Sequence, residues 1–470
     1  MPTSRFLRVW LLWSALYTAL AVAGPNGLLG RPVWPVASQH LFQARAWLGV
    51  DIEVVDEVGV EVDRLPVEPR LDVTPYFENR PVRDPRENAL VSNLAVAARL
   101  GDGSLVPAQE VWGIRGRTPD AGAMVCFVGF PPGPAFLLMP LVPLLGGFLA
   151  TQWIGAVLAG LGVAAVDALA TGLWDRLGLG EDPVVMNQTM LLAGAGTVWL
   201  WVVMDGGTFL FAQTVGCVAL AVALLAAARG RVFIAGLAFG LAITSRPAML
   251  GALPFWLGLS GVAGLRNIER LRRLAALFVG PAVLGGTALL LNHLRFGSLW
   301  DFGYRFMILP PFLRERWVEH GQLSWHHLWR NVQAVLLNPP VTLHDEAGGL
   351  VFPFLVSDPV GMGLLFVTPA SVLLVLAVRA VGTRERWILA TCWLSLLLCW
   401  APGLLYYNTG WVQWGGRFLL DGWPMWMLLA GLGLSRTPRR LAWLLVGLSV
   451  LCNFWAVVLV IARVWPGCCS

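Results

Sequence analysis

Uncharged stretches long enough to cross a bilayer recur along almost the whole chain, and no other property restricts its fold so sharply. Inside hydrocarbon every backbone polar group must be satisfied internally, which leaves helices or closed barrels. Arg5 and Arg8 precede 22 uncharged residues, 9–30, and 46 more run over 121–166. Gaps between charges mark further apolar runs at 183–204, 206–228, 232–245, 247–265, 274–294, 359–378, 387–405, 418–435 and 441–462, with Asp421 the one interruption. The run at 121–166 is broken by prolines and by Gly146-Gly147, so it divides into a short juxtamembrane or re-entrant helix and a crossing over 150–173, with Asp167 toward one end. The pattern predicts an all-α polytopic membrane protein of about 11 transmembrane helices.

Between the first helix and the rest lies a polar block, 31–134, that holds 14 of the 28 acidic residues against ten arginines. Such a block must lie in water beside the membrane. Residues 38–48 suit a short helix on the membrane surface, 54–62 a strand, and 88–100 a helix. Together they predict a small mixed α/β extracytoplasmic subdomain that ends in Phe130-Pro131-Pro132-Gly133-Pro134. The resulting segments are a first transmembrane helix (1–30), the loop subdomain (31–134), a juxtamembrane helix (135–149), helices two to seven (150–294), a second outer segment (295–358) and helices eight to eleven (359–470). Within the second outer segment, 323–336 reads as a surface-lying helix with Trp325 and Trp329 at the interface.

Arginine placement orients the chain, because short cytoplasmic loops retain basic residues. An inside N-terminus puts Arg176, Arg229 and Arg231, 266–273, 379–386 and 436–440 all inside. Arg246, the segment 292–358 and the loop 406–417 then share the outer side with the first loop. Ala21-Val22-Ala23 also suits a signal-peptidase site, but Arg5 and Arg8 favour a retained anchor.

Composition excludes several classes. Hydrophobic residues make up 57%, charged residues 13%, and mean hydropathy is +0.68, far outside the soluble range. The net charge of +5 is distributed as topology requires and gives no nucleic-acid footprint. All 33 basic residues are arginine, and the 24 tryptophans suit two interfacial belts. The seven cysteines form no CxxC spacing. There is no Walker sequence and no GxSxG. His326-His327 lacks further ligands at a metal spacing, and the sequon Asn187-Gln188-Thr189 falls at an inner helix end.

Arg246 separates two short apolar runs, either as a snorkelling hairpin residue or as an anion ligand, since arginine grips phosphate through a planar fork. Arg417 follows two glycines and has Asp421 four residues on, within reach on one helical face. Arg295 and Arg305 flank Asp301, close to Tyr304, in a stretch that a solvated loop explains equally well.

The ordered set of motifs resembles the GT-C superfamily of membrane glycosyltransferases, in particular bacterial relatives of protein O-mannosyltransferase and of the lipid A aminoarabinose transferase. The residues concerned are Gly129-Phe130-Pro131-Pro132-Gly133-Pro134 closing the first loop and the glycine-rich run ending in Thr244-Ser245-Arg246-Pro247. They continue through Arg295-Phe296-Gly297-Ser298 to Asp301-Phe302-Gly303-Tyr304, and end with Trp414-Gly415-Gly416-Arg417-Phe418. The resemblance implies transfer of a sugar from a polyprenyl-phosphate donor to an extracytoplasmic acceptor, at a bacterial inner membrane with a cytoplasmic N-terminus. It implies a first-loop acid as general base and basic residues on the leaving phosphate. That makes Arg246 and Arg417, with Arg295, Asp301 and Tyr304, the expected substrate-binding set; no cofactor is fixed and a divalent cation is left open. No acid stands at the usual first-loop position near Val36-Ala37. Asp51 is the first replacement, with Asp56, Glu53 and His40 as alternatives. A catalytically inactive relative that presents a lipid carrier, and a membrane transporter, are the competing functions.

Overall fold

The computed structural model describes residues 3–23, 39–48, 82–83, 90–91, 95–99, 105–107, 124–127, 129–145, 151–180, 182–204, 207–307, 309, 311–378, 386–410 and 413–462. The strand expected at 54–62 lies outside them, as do Asp51, Glu53 and Asp56. Nine longer helical stretches carry the architecture: α1 (Thr3–Ala23), α2 (Thr151–Arg176), α3 (Pro183–Ala195), α4 (Thr208–Ala228), α5 (Val232–Ser245), α6 (Asn267–Phe296), α7 (Arg386–Leu405), α8 (Trp423–Leu434) and α9 (Arg439–Ile461). Six of these, α1, α2, α4, α6, α7 and α9, are long and apolar enough to cross a membrane. The molecule is a helical membrane protein.

Burial separates the helices into two kinds. The most apolar windows of α2 and α4 are 78% and 89% buried, so these helices are hydrophobic all round because neighbours surround them. In α6 the corresponding share is 17%, and Leu271, Phe278, Val283 and Leu290 face outward, as suits a helix against lipid. Pro281 begins a π-helical turn, Pro281–Gly285, which is where a proline bends a long helix. Five tryptophans, Trp199, Trp256, Trp414, Trp423 and Trp426, are wholly buried, so the indoles serve the core as well as any interfacial belt.

Local contacts set how the helices run. Arg5 pairs with Asp167 (Nη2 to Oδ1, 2.9 Å), while Ser14 Oγ donates to the Val157 carbonyl (3.2 Å), which makes α1 and α2 antiparallel. The chain reverses between α4 and α5 at Gly230, whose φ of +70° suits glycine. Where α5 meets α6, Gly240 is so close that an added Cβ would lie 2.6 Å from the Gly280 carbonyl carbon. Gly236 and Gly240 therefore form a small-residue crossing of the kind that lets membrane helices touch backbone to backbone. The stretch from Pro247 to Leu259, a 3₁₀ turn continuing into a helix, runs antiparallel to α7: Gly251 meets Leu398 and Cys399, and Gly258 meets Trp387.

The first loop contributes a helix, Gln39–Trp47, as the sequence suggests, and its Leu41 and Ala44 pack with Ala135, Leu138, Phe211 and Val215. The expected juxtamembrane helix is present in two pieces, Gly133–Leu138 and Val142–Leu145. The helix expected at 88–100 is not. Leu90–Val91 pairs with Val82–Arg83, and Ala95–Arg99 is the central strand of a three-stranded antiparallel sheet between Leu105–Pro107 and Met124–Phe127. Alanine propensity favours a helix there, but two flanking strands supply ladder partners, and long-range pairing outweighs a propensity difference of under about 1 kcal/mol per residue. The second outer segment is helical over Trp325–His327, Leu328–Val332 and Gln333–Leu337, with Trp325 and Trp329 largely exposed, and ends at Asn338-Pro339-Pro340.

Candidate functional site

At 14 residues, α5 spans about 21 Å, short of the roughly 30 Å of a hydrocarbon core. Pro247 stops it and Arg246 leaves the helix in extended conformation (φ −144°, ψ 98°), so the arginine ends below full membrane depth. A lone cation there is costly, and the fold supplies a partner. Arg246 Nε lies 2.9 Å from Asp421 Oδ1 and Nη2 lies 3.0 Å from Oδ2, a two-pronged pair joining positions 175 apart in sequence. Gln213 Nε2 donates to the same Oδ1 (2.8 Å), and Cys217 Sγ donates to the Leu420 carbonyl (3.1 Å). Gly216 leaves the passage for the arginine: a Cβ there would sit 2.9 Å from Arg246 Cγ.

This corrects the expected pairing of Arg417 with Asp421. Residues Arg417–Gly422 form a 3₁₀ helix, in which i and i+3 eclipse and i and i+4 do not share a face. Asp421 turns to Arg246, and Arg417 is left with aromatic faces. Its guanidinium carbon stands 5.4 Å from the centroids of both Phe209 and Phe418, while Arg246 lies 5.3 Å from Phe418 on its own account. Arg417 makes no ion pair or hydrogen bond among the described residues. Burial, and then the neighbouring Arg246, bring its pKa down to about 10. It stays cationic at neutral pH, but a charge so placed gains by meeting an anion.

Aromatic rings wall the site. Phe209 packs edge-on to Phe130 (4.7 Å), which reaches Tyr304 (6.5 Å) and His40 (6.2 Å); Tyr406 meets Phe418 (6.1 Å) and Tyr407 (4.6 Å). Burial holds the phenols of Tyr304, Tyr406 and Tyr407 well above their usual range. The first loop, the start of α4, the end of α5, the second outer segment and the loop 406–417 with the 3₁₀ helix after it thus meet at one end of the helices. The Arg5–Asp167 and Arg439–Asp182 pairs lie on α1, α2, α9 and the start of α3, away from these residues.

Of the residues singled out in the sequence, Arg246, Arg417, Tyr304 and His40 come together. Arg295 does not. It is buried at the end of α6, donating to the Leu291 carbonyl (3.3 Å) and to Asn292 Oδ1 (3.3 Å), because its helix offers those acceptors one turn back. Asp301 is engaged locally, with Arg305 and with the Gly303 amide (2.9 Å). His40 is fully buried, and burial lowers its pKa to about 4 despite the approach of Gln43 and the Thr208 backbone. Among the described residues neither ring nitrogen makes a hydrogen bond of good geometry. A neutral, weakly basic imidazole is poorly matched to general-base work near neutrality. His326 stacks on His320 with centroids 3.6 Å apart, yet among the described residues no three His, Cys, Asp or Glu side chains are disposed to hold a metal ion.

Gln213, Cys217 and Phe209 carry no sequence signature of a site. One signal was available: Asp421 interrupts the apolar run 418–435, and an acid at that depth requires a cation.

No family model, curated protein or solved structure matches this chain.

Proposed function

We propose that the chain is an eleven-pass glycosyltransferase of the GT-C kind, with its N-terminus in the cytoplasm and the Arg246–Arg417 site facing outward, at a bacterial inner membrane. It would transfer a sugar from a polyprenyl-phosphate donor to an extracytoplasmic acceptor. The observation that carries this reading is Arg417, a cation held beside a neutralised Arg246–Asp421 pair and set among aromatic rings. With Asp421 balancing Arg246, the cluster keeps one net positive charge for a phosphate, and the rings suit an isoprenoid chain or a sugar face. Stabilising charge on the departing phosphate is the largest contribution protein groups make to such a transfer.

The eleven proposed passes take the six long helices together with shorter ones: α1, α2, α3 with its continuation to Val202, α4, α5, Pro247–Leu259, α6, 364–377, α7, 418–434 and α9. The general base is assigned to Asp51, with Glu53 and Asp56 behind it, since His40 is neutral and Asp421 already holds Arg246 and Gln213.

That engagement of Asp421 favours a second reading, a lipid-carrier-binding accessory protein without transferase chemistry. Membranes supplied with radiolabelled polyprenyl-phosphate sugars and extracted envelope acceptors separate the two. Arg417→Gln should abolish transfer while the protein accumulates normally. Asp51→Asn should reduce transfer about a hundredfold, within the range of a positioned base. Full transfer by Arg417→Gln removes the phosphate assignment. An inert parent chain that retains the labelled lipid, and loses it with Arg417→Gln, establishes the accessory role.

A further inference from the structure

A second group of cations stands apart from Arg417, on different elements. The helix Pro311–His320 carries Arg316, and the helix Leu328–Val332 carries Arg330. Each has an Nη1 nitrogen that is enclosed by protein and makes no hydrogen bond among the described residues. Neither arginine forms an ion pair there. Arg316 has only the Phe312 ring beneath it, 5.6 Å from the centroid. Their neighbours Trp317 and Asn331 both reach the Tyr406-Tyr407 pair, which brings the two arginines to one place, and partial burial together with the charge of Arg316 holds Arg330 below its usual pKa. The acids on the same helix lie elsewhere: Glu315 and Glu319 are exposed, and Glu319 approaches His320 (3.6 Å).

Two like charges with enclosed, unused donors are costly unless something negative sits between them. The fold nevertheless holds them in place. Beside Arg330, Asn331 donates to the Leu404 carbonyl (3.0 Å) and the Tyr406 carbonyl (2.6 Å). Beside Arg316, Trp317 packs on Tyr407 with centroids 5.0 Å apart. Around the pair, Val318, Leu323, Trp325 and Trp329 are between 60% and 77% exposed, an apolar and indole-rich rim that suits the boundary of a bilayer.

We infer that Arg316 and Arg330 form a second anion site, which takes the phosphate of a net-anionic phospholipid, one whose charge no headgroup ammonium offsets, lying in the adjacent membrane leaflet. Paired arginines match phosphate oxygens through their planar forks, and both side chains remain partly exposed. The tryptophan rim favours a phosphate that arrives on a lipid over one that arrives in solution. The site does not rest on the transferase reading, because neither arginine belongs to the Arg417 cluster, although both are braced through Tyr406 and Tyr407.

The test uses the full chain in nanodiscs of phosphatidylcholine, with or without added phosphatidylglycerol, and in a third arm phosphatidylcholine with inorganic phosphate. Thermal unfolding is followed by tryptophan fluorescence, and lipid retention by native mass spectrometry. Phosphatidylglycerol should stabilise the parent. Arg316→Gln and Arg330→Gln should lower its retention roughly tenfold or more, as expected for losing a charge-assisted hydrogen bond. In phosphatidylcholine alone the same variants should unfold no earlier than the parent, because each relieves the repulsion. Arg439→Gln, whose arginine pairs with Asp182, should leave the lipid response intact. Equal destabilisation of both variants in all discs, or their failure to fold in phosphatidylcholine, would make the pair structural and overturn the site. So would an unchanged lipid response in the variants, or no response in the parent. Stabilisation by inorganic phosphate without any response to phosphatidylglycerol would overturn the lipid assignment.

Discussion

Replacing Asp421 with asparagine removes one charge and little volume, and it should expose how much the site depends on the Arg246 pair. Breaking a buried ion pair by neutralising one partner costs about 3–5 kcal/mol, because the other charge is left uncompensated. The two partners are not equally placed. The Arg246 side chain is 22% exposed and Asp421 only 2%. Arg246 can therefore recover some hydration when Asp421 is lost, which puts Asp421→Asn near the lower figure, about 3 kcal/mol. Arg246→Met strands an enclosed carboxylate with Gln213 as its remaining donor (2.8 Å), which puts it near the upper figure, about 5 kcal/mol. The double variant Arg246→Met/Asp421→Asn removes both charges and should cost no more than Arg246→Met alone, giving a coupling energy of about 3 kcal/mol. Equilibrium unfolding in mixed detergent micelles, read by tryptophan fluorescence, measures all of these. Additive costs in the double variant, or single variants within about 1 kcal/mol of the parent, would refute the claim that the pair is closed and recessed.

Two further outcomes follow from the same geometry. The depressed pKa of His40 means that the unfolded chain takes up a proton the buried ring refuses. Stability should therefore be complete above about pH 6.5 and fall toward pH 4 by about 3 kcal/mol in all, and His40→Phe should remove that part of the slope; identical slopes in parent and variant would disprove the burial argument. In a background with native cysteines replaced, a cysteine at Gln322 should label with a membrane-impermeant thiol reagent added from outside and one at Asn267 should not; the reverse pattern would invert the proposed orientation.

The helices could be read from the sequence because hydrocarbon leaves a long apolar run few alternatives. The run at 232–245 is the helix Val232–Ser245, and those at 387–405 and 441–462 match α7 and α9 to within two residues. The gathering of Arg246, Tyr304 and Arg417 also agrees with what loop parity implies, since charge-bearing loops must leave the bilayer on alternating sides. Residues 88–100 show where this reasoning stops: in a water-exposed block no solvent forces one structure, and strand partners from elsewhere decide. The pairings within the site were out of reach for a related reason. Proximity in sequence ties Asp421 to Arg417, and only the 3₁₀ geometry of Arg417–Gly422, with α5 packed against α4 and the Pro247–Leu259 stretch against α7, gives the carboxylate to Arg246 instead. Which cation is neutralised and which is left for a ligand is thus a property of helix packing. A charge in a recessed, low-dielectric position goes to whichever partner the tertiary structure brings within about 3 Å, however far off it stands in the chain.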